Sequence, residues 1–528
     1  MEFFSFLGEI LNLDNITANF IKKHREYCSY ITFRWWQVLF YLSIAGGLIF
    51  LLAYRWDISL CLITFYVSFW YFCAAFFRGA AVFISLSGRG ERKVTADEIA
   101  KLHESELPVY TILVPLYKEA NIADKIVFYL EKLDYPKEKL DVKLLLEEDD
   151  TATISVLNLC QLPPYFEKII IPDCLPKTKP RACNFGLERA RGEFCVIYDA
   201  EDRPEPDQLK KAFILFKKLP ENYVCVQAKL NYYNPKQNLL TKLFTIEYST
   251  TFDLLLPGLE VMNIPIPLGG TSNHFRTNIL KKLGGWDPFN VTEDCELGIR
   301  IYAKGYKTCL LDSTTWEEAN SKLWNWVRQR SRWVKGFLQT HLAHMRYPLK
   351  TFKSLGLWGT FGFYMCVGAS SFMMIINVFY WLVGLFYVAL IFHGLSKGLT
   401  LSSMIKKTTL EGYEGFELLG RQIKAWPLLY VGIGEDPFWS TLSIIFFTIG
   451  CALVLANILF VIYHFLACLK RRYFFLIPYS FLMPFYWVLI SFGAWKGLVQ
   501  LFTKPFYWEK TVHGLSFKDL EEESLKKK

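Results

Sequence analysis

Two stretches near the N-terminus, Trp36 to Tyr54 and Ile58 to Phe77, carry no charge, and each is close to the ~20 residues that cross the ~30 Å hydrocarbon core of a bilayer. Only Arg55-Trp56-Asp57 separates them, a tight hairpin. Lys22, Lys23, Arg25 and Arg34 precede the pair, and Arg78, Arg89, Arg92 and Lys93 follow it; the positive-inside rule puts both flanks in the cytoplasm. Residues 1–20 lack a basic start followed by a compact apolar core, so no cleavable signal is expected. Apolar character returns after Lys350. Leu355 to Phe392 is long enough for a re-entrant or interfacial piece plus a span, and Phe438 to Leu469 supplies another. Lys470, Arg471 and Arg472 then mark a cytoplasmic turn, which leaves the polar residues 394–436 outside. Tyr473 to Phe502 contains Pro478 and Pro484, which predicts broken or hairpin helices whose freed backbone groups are satisfied against protein. About six passes are expected.

A chain of 528 residues that is 52% hydrophobic and 17% aromatic is neither disordered nor one ordinary soluble domain. Its net charge of +9 lies mostly beside apolar stretches, which argues for membrane flanks and against a nucleic-acid partner. The thirteen cysteines include no CxxC pair, and Cys61, Cys73, Cys366 and Cys451 sit inside apolar runs as small hydrophobes; reduced thiols and no zinc site are expected.

Between Val94 and Lys350 the composition turns soluble. "PVYTILVPLYKEA" reads as a buried strand over Tyr110 to Pro115, a loop with Glu119, and a helix over Ile122 to Leu133. "DVKLLLEEDD" and "GEFCVIYDAEDRPEP" are two more apolar strands, each running into acid. Strands alternating with helices predict an α/β domain, a mostly parallel sheet covered on both faces. Ligands of such sheets bind beyond the carboxyl ends of the strands, where these acids stand.

Asp199, Glu201 and Asp202 could hold a hard cation that also bridges two phosphates, or form an acidic surface turn capped by prolines. The repetition at Glu147, Glu148, Asp149 and Asp150 favours the first reading. Lys177, Lys179 and Arg181 precede a predicted helix, as cations for a diphosphate or as a solvated basic loop. Gly269 and Gly270, followed by Thr271, allow either close backbone approach to a ligand or a tight turn. On a helix over Lys322 to Met345, Leu323, Trp326, Val327, Val334, Phe337, Leu338, His341 and Leu342 share one face, while Gln329, Arg332, Trp333 and Gly336 fall on another. That predicts an interfacial helix with its apolar side toward the membrane or the transmembrane bundle. Trp offers a platform for a sugar ring and Arg a fork for phosphate; a basic amphipathic helix with incidental aromatics is the alternative.

The order of an acidic strand end, D-A-E-D (Asp199 to Asp202), T-E-D (Thr292 to Asp294) and Q-R-S-R-W (Gln329 to Trp333), with apolar spans on both sides, resembles the membrane-embedded family 2 glycosyltransferases: cellulose, chitin and hyaluronan synthases and related bacterial exopolysaccharide enzymes. The resemblance covers Pro108 to Tyr347. It implies a GT-A domain inserted between α-helical transmembrane segments, a nucleotide diphosphate sugar donor, and inversion at the anomeric carbon. By the same resemblance Asp294 is the general base, with Glu293 shaping the site. Asp199 and Glu201 match the metal motif for Mg2+ or Mn2+, with Glu in place of the usual second Asp. Glu148 or Asp149 contacts the nucleoside, and Lys179 and Arg332 the diphosphate. Gln329 and Trp333, with Gly269, Gly270 and Thr271, face the acceptor. "FYWEKTVHG" resembles the segment that closes over the nucleotide in several such synthases, so Trp508, Lys510, Thr511 and His513 could reach the diphosphate, or the stretch is a juxtamembrane anchor.

The layout expected is an N-terminal interfacial segment and two spans (1–93), the catalytic domain (94–320), the QxxRW helix (321–350), a C-terminal membrane region (351–502) and a cytosolic tail (503–528). The tail is too short for a PilZ-like domain, so regulation by a cyclic dinucleotide, or export, would need a partner protein. Three functions remain open: a processive synthase that passes a β-linked polysaccharide through its own spans, with UDP-glucose the first guess and GDP-mannose an alternative; an enzyme adding one sugar to a lipid; and a non-catalytic receptor or transporter, which intact acids at all three positions argue against. The expected location is a bacterial inner membrane, with the catalytic domain cytoplasmic.

Overall fold

The computed structural model describes residues 13–515 except 55, 397, 399–415, 419–420 and 424–436; the tail beyond 515 and most of the polar stretch 394–436 lie outside the described residues.

Continuous apolar sequence builds the centre of the sheet, because strands covered on both faces have no polar side to present. Nine strands form it: β1 (Glu91–Arg92), β2 (Tyr110–Leu116), β3 (Leu140–Glu147), β4 (Phe166–Ile171), β5 (Phe194–Ile197), β6 (Arg203–Pro204), β7 (Tyr223–Tyr232), β8 (Asn273–Arg276) and β9 (Lys307–Glu317). Their order is β1-β9-β7-β8-β5-β2-β3-β4, with β6 paired to β9. β2, β3, β4 and β5 run parallel, Tyr110 opposite both Leu140 and Phe194, and β7 runs parallel to β9. β8 lies antiparallel between β5 and β7, a reversal the sequence does not announce. The mostly parallel, doubly covered sheet is the fold class expected. Every residue of β3 is buried, as is all of β2 but Pro115. The consequence for function is positional: β2, β3, β5 and β9 deliver Glu119, Glu147, Asp199 and Glu317 to one edge.

Among the described residues four helical stretches are long and apolar enough to cross a membrane, Trp35–Tyr54, Phe65–Leu86, Pro348–Phe379 and Met483–Thr503, with a shorter apolar stretch at Val454–Lys470. The second expected span is the start of a longer helix, Trp56–Leu86, whose last turns pack on the catalytic domain: a β-carbon on Gly258 would overlap Ala81. Leu355 to Phe392 resolves into a helix kinked at Gly356 (φ 68°), a π-turn at Tyr364–Gly368 and the helix Ala369–Ser396, and the next expected span is the helix Pro437–Lys470. Tyr473 to Phe502 is broken as expected, into Phe474–Leu476, Ile477–Ser480 and Met483–Thr503, but its prolines, Pro478 and Pro484, act differently. Each sits in the first turn of a helix, Ile477–Ser480 or Met483–Thr503, where a missing N–H costs nothing; they begin helices and break none.

The helix Leu323–His344 also differs. Trp326, Val334 and Leu342 are buried as the pattern predicts, but so are Arg330, Ser331, Lys335, Gln339 and Thr340. Polar residues survive inside because each is bonded: Asn290 Nδ2 donates to Thr340 Oγ1 (2.9 Å) and Val291 N to Gln339 Oε1 (3.1 Å). The helix is therefore enclosed, with Met483–Thr503 on one side, where Gly493 and Gly497 admit its backbone, and Thr292 against Gly336 on the other. A β-carbon on Gly336 would overlap the Thr292 side chain. Gly336→Ala should therefore cost about 1–3 kcal/mol through overpacking and displace Thr292, the residue before the helix Glu293–Ala303. Thermal unfolding read beside donor turnover checks this, with both falling in the variant.

Candidate active site

Beyond the carboxyl edge of the sheet lies a cavity of about 480 Å³, walled by Lys179, Asp199, Glu201, Glu293, Asp294, Glu317 and Trp333. Local sequence explains who reaches it. The helix Glu293–Ala303 opens with Glu293, Asp294 and Glu296 in its first turn, where the N-terminal end of the helix dipole favours negative charge. Glu296 turns away, its carboxylate accepting from Arg300 Nη2 at 2.8 Å, while Glu293 and Asp294 face the cavity. Asp294 is 4% exposed, and its Oδ1 has no hydrogen-bond partner among the described residues. Burial lifts the Asp294 carboxyl well above the ordinary range, and Glu293 beside it lifts it further against the pull of Lys179. Burial lifts Glu293 too. A buried carboxylate with an open oxygen can accept a proton.

Lys179 is the opposing cation. Its Nζ lies 2.6 Å from Asp199 Oδ1 and donates to the Gly270 carbonyl; burial disfavours its charge, but Asp199, Asp294 and Glu293 hold it protonated. A β-carbon on Gly270 would stand 3.9 Å from Asp294 Oδ2 and 4.0 Å from Lys179 Nζ, so this glycine leaves the space between acid and base clear. Gly269 N donates to Gln227 Oε1 (2.8 Å). The Thr271 hydroxyl donates to Asp202 Oδ2 at 2.5 Å, and Asp202 accepts from Asp199 N at 2.7 Å; Thr271 and Asp202 brace the acidic turn.

The acids at the end of β3 divide by role. Glu147 is buried against Arg181 Nη1 (3.2 Å), and burial lifts it to about 7. Asp150 caps the helix Thr151–Leu159, accepting from Thr153 N (3.3 Å). Glu148 is exposed, accepts from Asp173 N (3.1 Å) and is not among the cavity walls. Asp149, paired with Lys177 (2.6 Å) and bonded by the Tyr117 hydroxyl (3.3 Å), sits beside two residues that do line the cavity.

On the opposite wall Gln329 accepts from Asn320 Nδ2 (2.9 Å). Trp333 stacks on Tyr248 at 6.1 Å between centroids, and the Arg332 guanidinium stands 4.5 Å from the centroid of Trp508. The segment after residue 505 closes the front. His513 Nδ1 lies 2.8 Å from Glu201 Oε1, Lys510 bonds Glu119, and the Asn325 side chain donates through Nδ2 to the Val512 carbonyl (2.9 Å) and accepts at Oδ1 from Val512 N (3.0 Å). Burial works against both charges of the Glu201–His513 pair, yet each partner stabilises the other: Glu201 is held down to about 2 and His513 lifted to about 9. Thr511 is buried with a hydroxyl that has no partner among the described residues. The expected Trp508, Lys510, Thr511 and His513 thus all line the cavity.

Glu317 is a wall residue that sequence reading passed over. Burial and the charges of Asp202, Glu201 and Asp199 push its carboxyl well upward. Its signal was the acid at the end of "TTWE", hidden because that strand is rich in serine and threonine. Asp199, Glu201 and Glu317 offer hard oxygen donors, the chemistry a divalent cation takes. Among the described residues no three His, Cys, Asp or Glu side chains gather closely enough to hold an ion; Lys179 pairs with Asp199 and His513 with Glu201.

Residues 194–395 match the family model described as Glycosyl transferase family group 2. A probable glycosyltransferase of Bacillus subtilis, YdaM, is 28% identical over 290 residues, 53% of this chain and 68% of the relative. A probable glucomannan 4-beta-mannosyltransferase 7 of Oryza sativa is 25% identical over 242 residues, 44% of this chain and 41% of that protein. The mannosyltransferase PcManGT of Pyrobaculum calidifontis, solved with GDP-Man and Mn2+, superposes over 55% of this chain and 86% of its own with a TM-score of 0.36 and 18% identity.

Proposed function

We propose that this chain, residues 194–395 of which match the Glycosyl transferase family group 2 model and which has helices long enough to cross a membrane, transfers a sugar from a nucleotide diphosphate donor to the end of a growing β-linked polysaccharide, inverts the anomeric centre, and passes the chain into the membrane. The observation that carries this reading is the unpartnered, buried Asp294 oxygen opposite Lys179 in a cavity floored by Trp333. The same cavity continues between the apolar helices to Tyr71, Asn377 and Trp487, which supports an acceptor that leaves through the membrane. UDP-glucose is the first donor to test. The glucomannan mannosyltransferase relative makes GDP-mannose the second.

In this reading Asp294 takes the proton of the acceptor hydroxyl as that oxygen attacks the anomeric carbon. Lys179 and Arg332 neutralise the leaving diphosphate, to which the free Thr511 hydroxyl can donate. Trp333 stacks under the acceptor ring, and Asp149 meets the nucleoside. Asp199 and Glu201 would hold Mg2+ or Mn2+, which when bound supplies further charge neutralisation at the diphosphate. The catalytic domain faces the cytoplasm, as the basic flanks suggest.

The test is nucleoside diphosphate release by the purified protein in nanodiscs, over a panel of nucleotide sugars with Mg2+, Mn2+ or EDTA. One donor should turn over, lose activity in EDTA, and yield a glycosidase-sensitive polymer. A single sugar added per acceptor would overturn processivity; undiminished turnover in EDTA would overturn the metal assignment.

A further inference from the structure

Arginine at the edge of a membrane span ordinarily reaches outward to headgroups or water. Arg78 turns inward. Its Nη2 donates to Ser370 Oγ (3.0 Å), its guanidinium stands 5.8 Å from the Phe460 ring centroid, and it lines the arm of the cavity that runs between the apolar helices. Helix length sets its level. A bilayer core takes about 20 residues, so the helix that starts at Trp56 leaves the core near Phe77. Beyond that point Ser85 Oγ already donates to the Asp253 carbonyl of the catalytic domain (3.1 Å). Arg78 therefore stands at the boundary on the catalytic side, the depth of lipid phosphates.

Among the described residues its charge is matched by no acid of its own. Glu247, which lines the same arm, accepts from both Nη1 (2.8 Å) and Nη2 of Arg330 and from the Tyr486 hydroxyl (2.7 Å). Among the described residues no carboxylate pairs with Arg78. Met365, Met373, Met374 and Phe460 give this arm an apolar side, beside the polar Tyr71, Asn377 and His464. A neutral sugar chain asks for no cation at this place, and an ionisable side chain kept at membrane depth marks a function.

We infer that this arm receives a lipid-linked acceptor by its phosphate. Arg78 and Ser370 take the oxyanion, a group that guanidinium binds in a fork, and the apolar side of the arm takes the hydrocarbon chain. An acidic polymer sliding through would be served by cations repeated along its path, whereas among the described residues this arm has one that is unpaired. The inference rests on the acceptor side of the proposed reaction and is independent of processivity.

Nanodiscs of phosphatidylcholine with a polyprenyl-phosphate sugar or the same sugar linked to polyprenol without the phosphate, and wild type, Arg78→Gln and Arg78→Lys, test it. Label from the nucleotide sugar should enter the organic-extractable fraction about tenfold faster with the phosphate, the size of one charge-assisted contact; Arg78→Gln should lose that difference and Arg78→Lys keep part of it. Hydrolysis of donor without acceptor should be unchanged in both variants. A donor-free reading separates this site from the reaction: polyprenyl phosphate should raise the unfolding temperature of wild type and not of Arg78→Gln. Equal labelling with and without the phosphate, equal stabilisation of both proteins, or label appearing only in a water-soluble acidic polymer would overturn the inference. Absent turnover with an intact stabilisation would instead strike the donor reading and leave the phosphate site standing.

Discussion

Asp294→Asn should lower sugar transfer by about 10²- to 10⁴-fold, the usual worth of a positioned general base, while nucleoside diphosphate still binds. The substitution keeps shape and volume and removes only the ability to take a proton. Calorimetry with the nucleotide, read beside transfer, separates the two effects. The pH dependence follows from the same pair. Burial lifts Asp294 and Glu293 above the ordinary carboxylate range, and the Glu293 charge lifts Asp294 further, so the proton-accepting form gains as pH rises. Transfer should climb along an acid limb that ends above the usual aspartate value. For stability the sign is opposite. A carboxyl lifted in the folded state opposes folding once it ionises, so the wild type loses stability as pH rises through the folded value. Asp294→Asn should then be at least as stable as wild type near neutrality, the pattern of a site that trades stability for activity. Loss of transfer with loss of fold would contradict the assignment.

Sequence spacing picked out acids that line the cavity because they sit where apolar strands end or in the first turn of a helix, and a strand end is legible one residue at a time. The antiparallel β8 was not legible. Its four residues carry no reversal signal, and their direction follows from pairing with both β5 and β7. The same limit hid Glu317, whose partners are near it only because β9 crosses back to the edge of the sheet. It also left Glu148 and Asp149 interchangeable: adjacent residues at a strand end point to different sides, and only the neighbours, Asp173 for one and Lys177 with Tyr117 for the other, tell them apart. The enclosed helix Leu323–His344 shows the reverse case. Helical periodicity gave its apolar face, but its polar face looked solvated because partners such as Glu247 and Asn290 are distant in sequence.

The largest effect on stability is expected at Arg330, a position the QxxRW pattern treats as variable. Its guanidinium stands 4.6 Å from the ring centroids of both Trp333 and Phe244, bonds Glu247 through two nitrogens, and donates to Tyr486 at 2.8 Å. One side chain thus joins the helix Leu239–Thr250, Trp333 and the membrane-long helix Met483–Thr503. Removing Arg330 leaves Glu247, 22% exposed on the cavity wall, charged without its partner, at a cost below the about 3–5 kcal/mol of a fully buried pair, whereas removing both is milder. Arg330→Met should unfold well below wild type, and Arg330→Met with Glu247→Gln should recover much of the loss; thermal unfolding of the four proteins in one cycle measures the coupling. Stability and function should then part. The double variant regains its fold but leaves Trp333 without the cation over its face, so it should keep donor hydrolysis while its KM for acceptor rises. If the double variant is no more stable than Arg330→Met, the pair is not what holds these three elements together; if acceptor KM is unchanged in a folded double variant, Trp333 is positioned by Tyr248 and Phe244 alone.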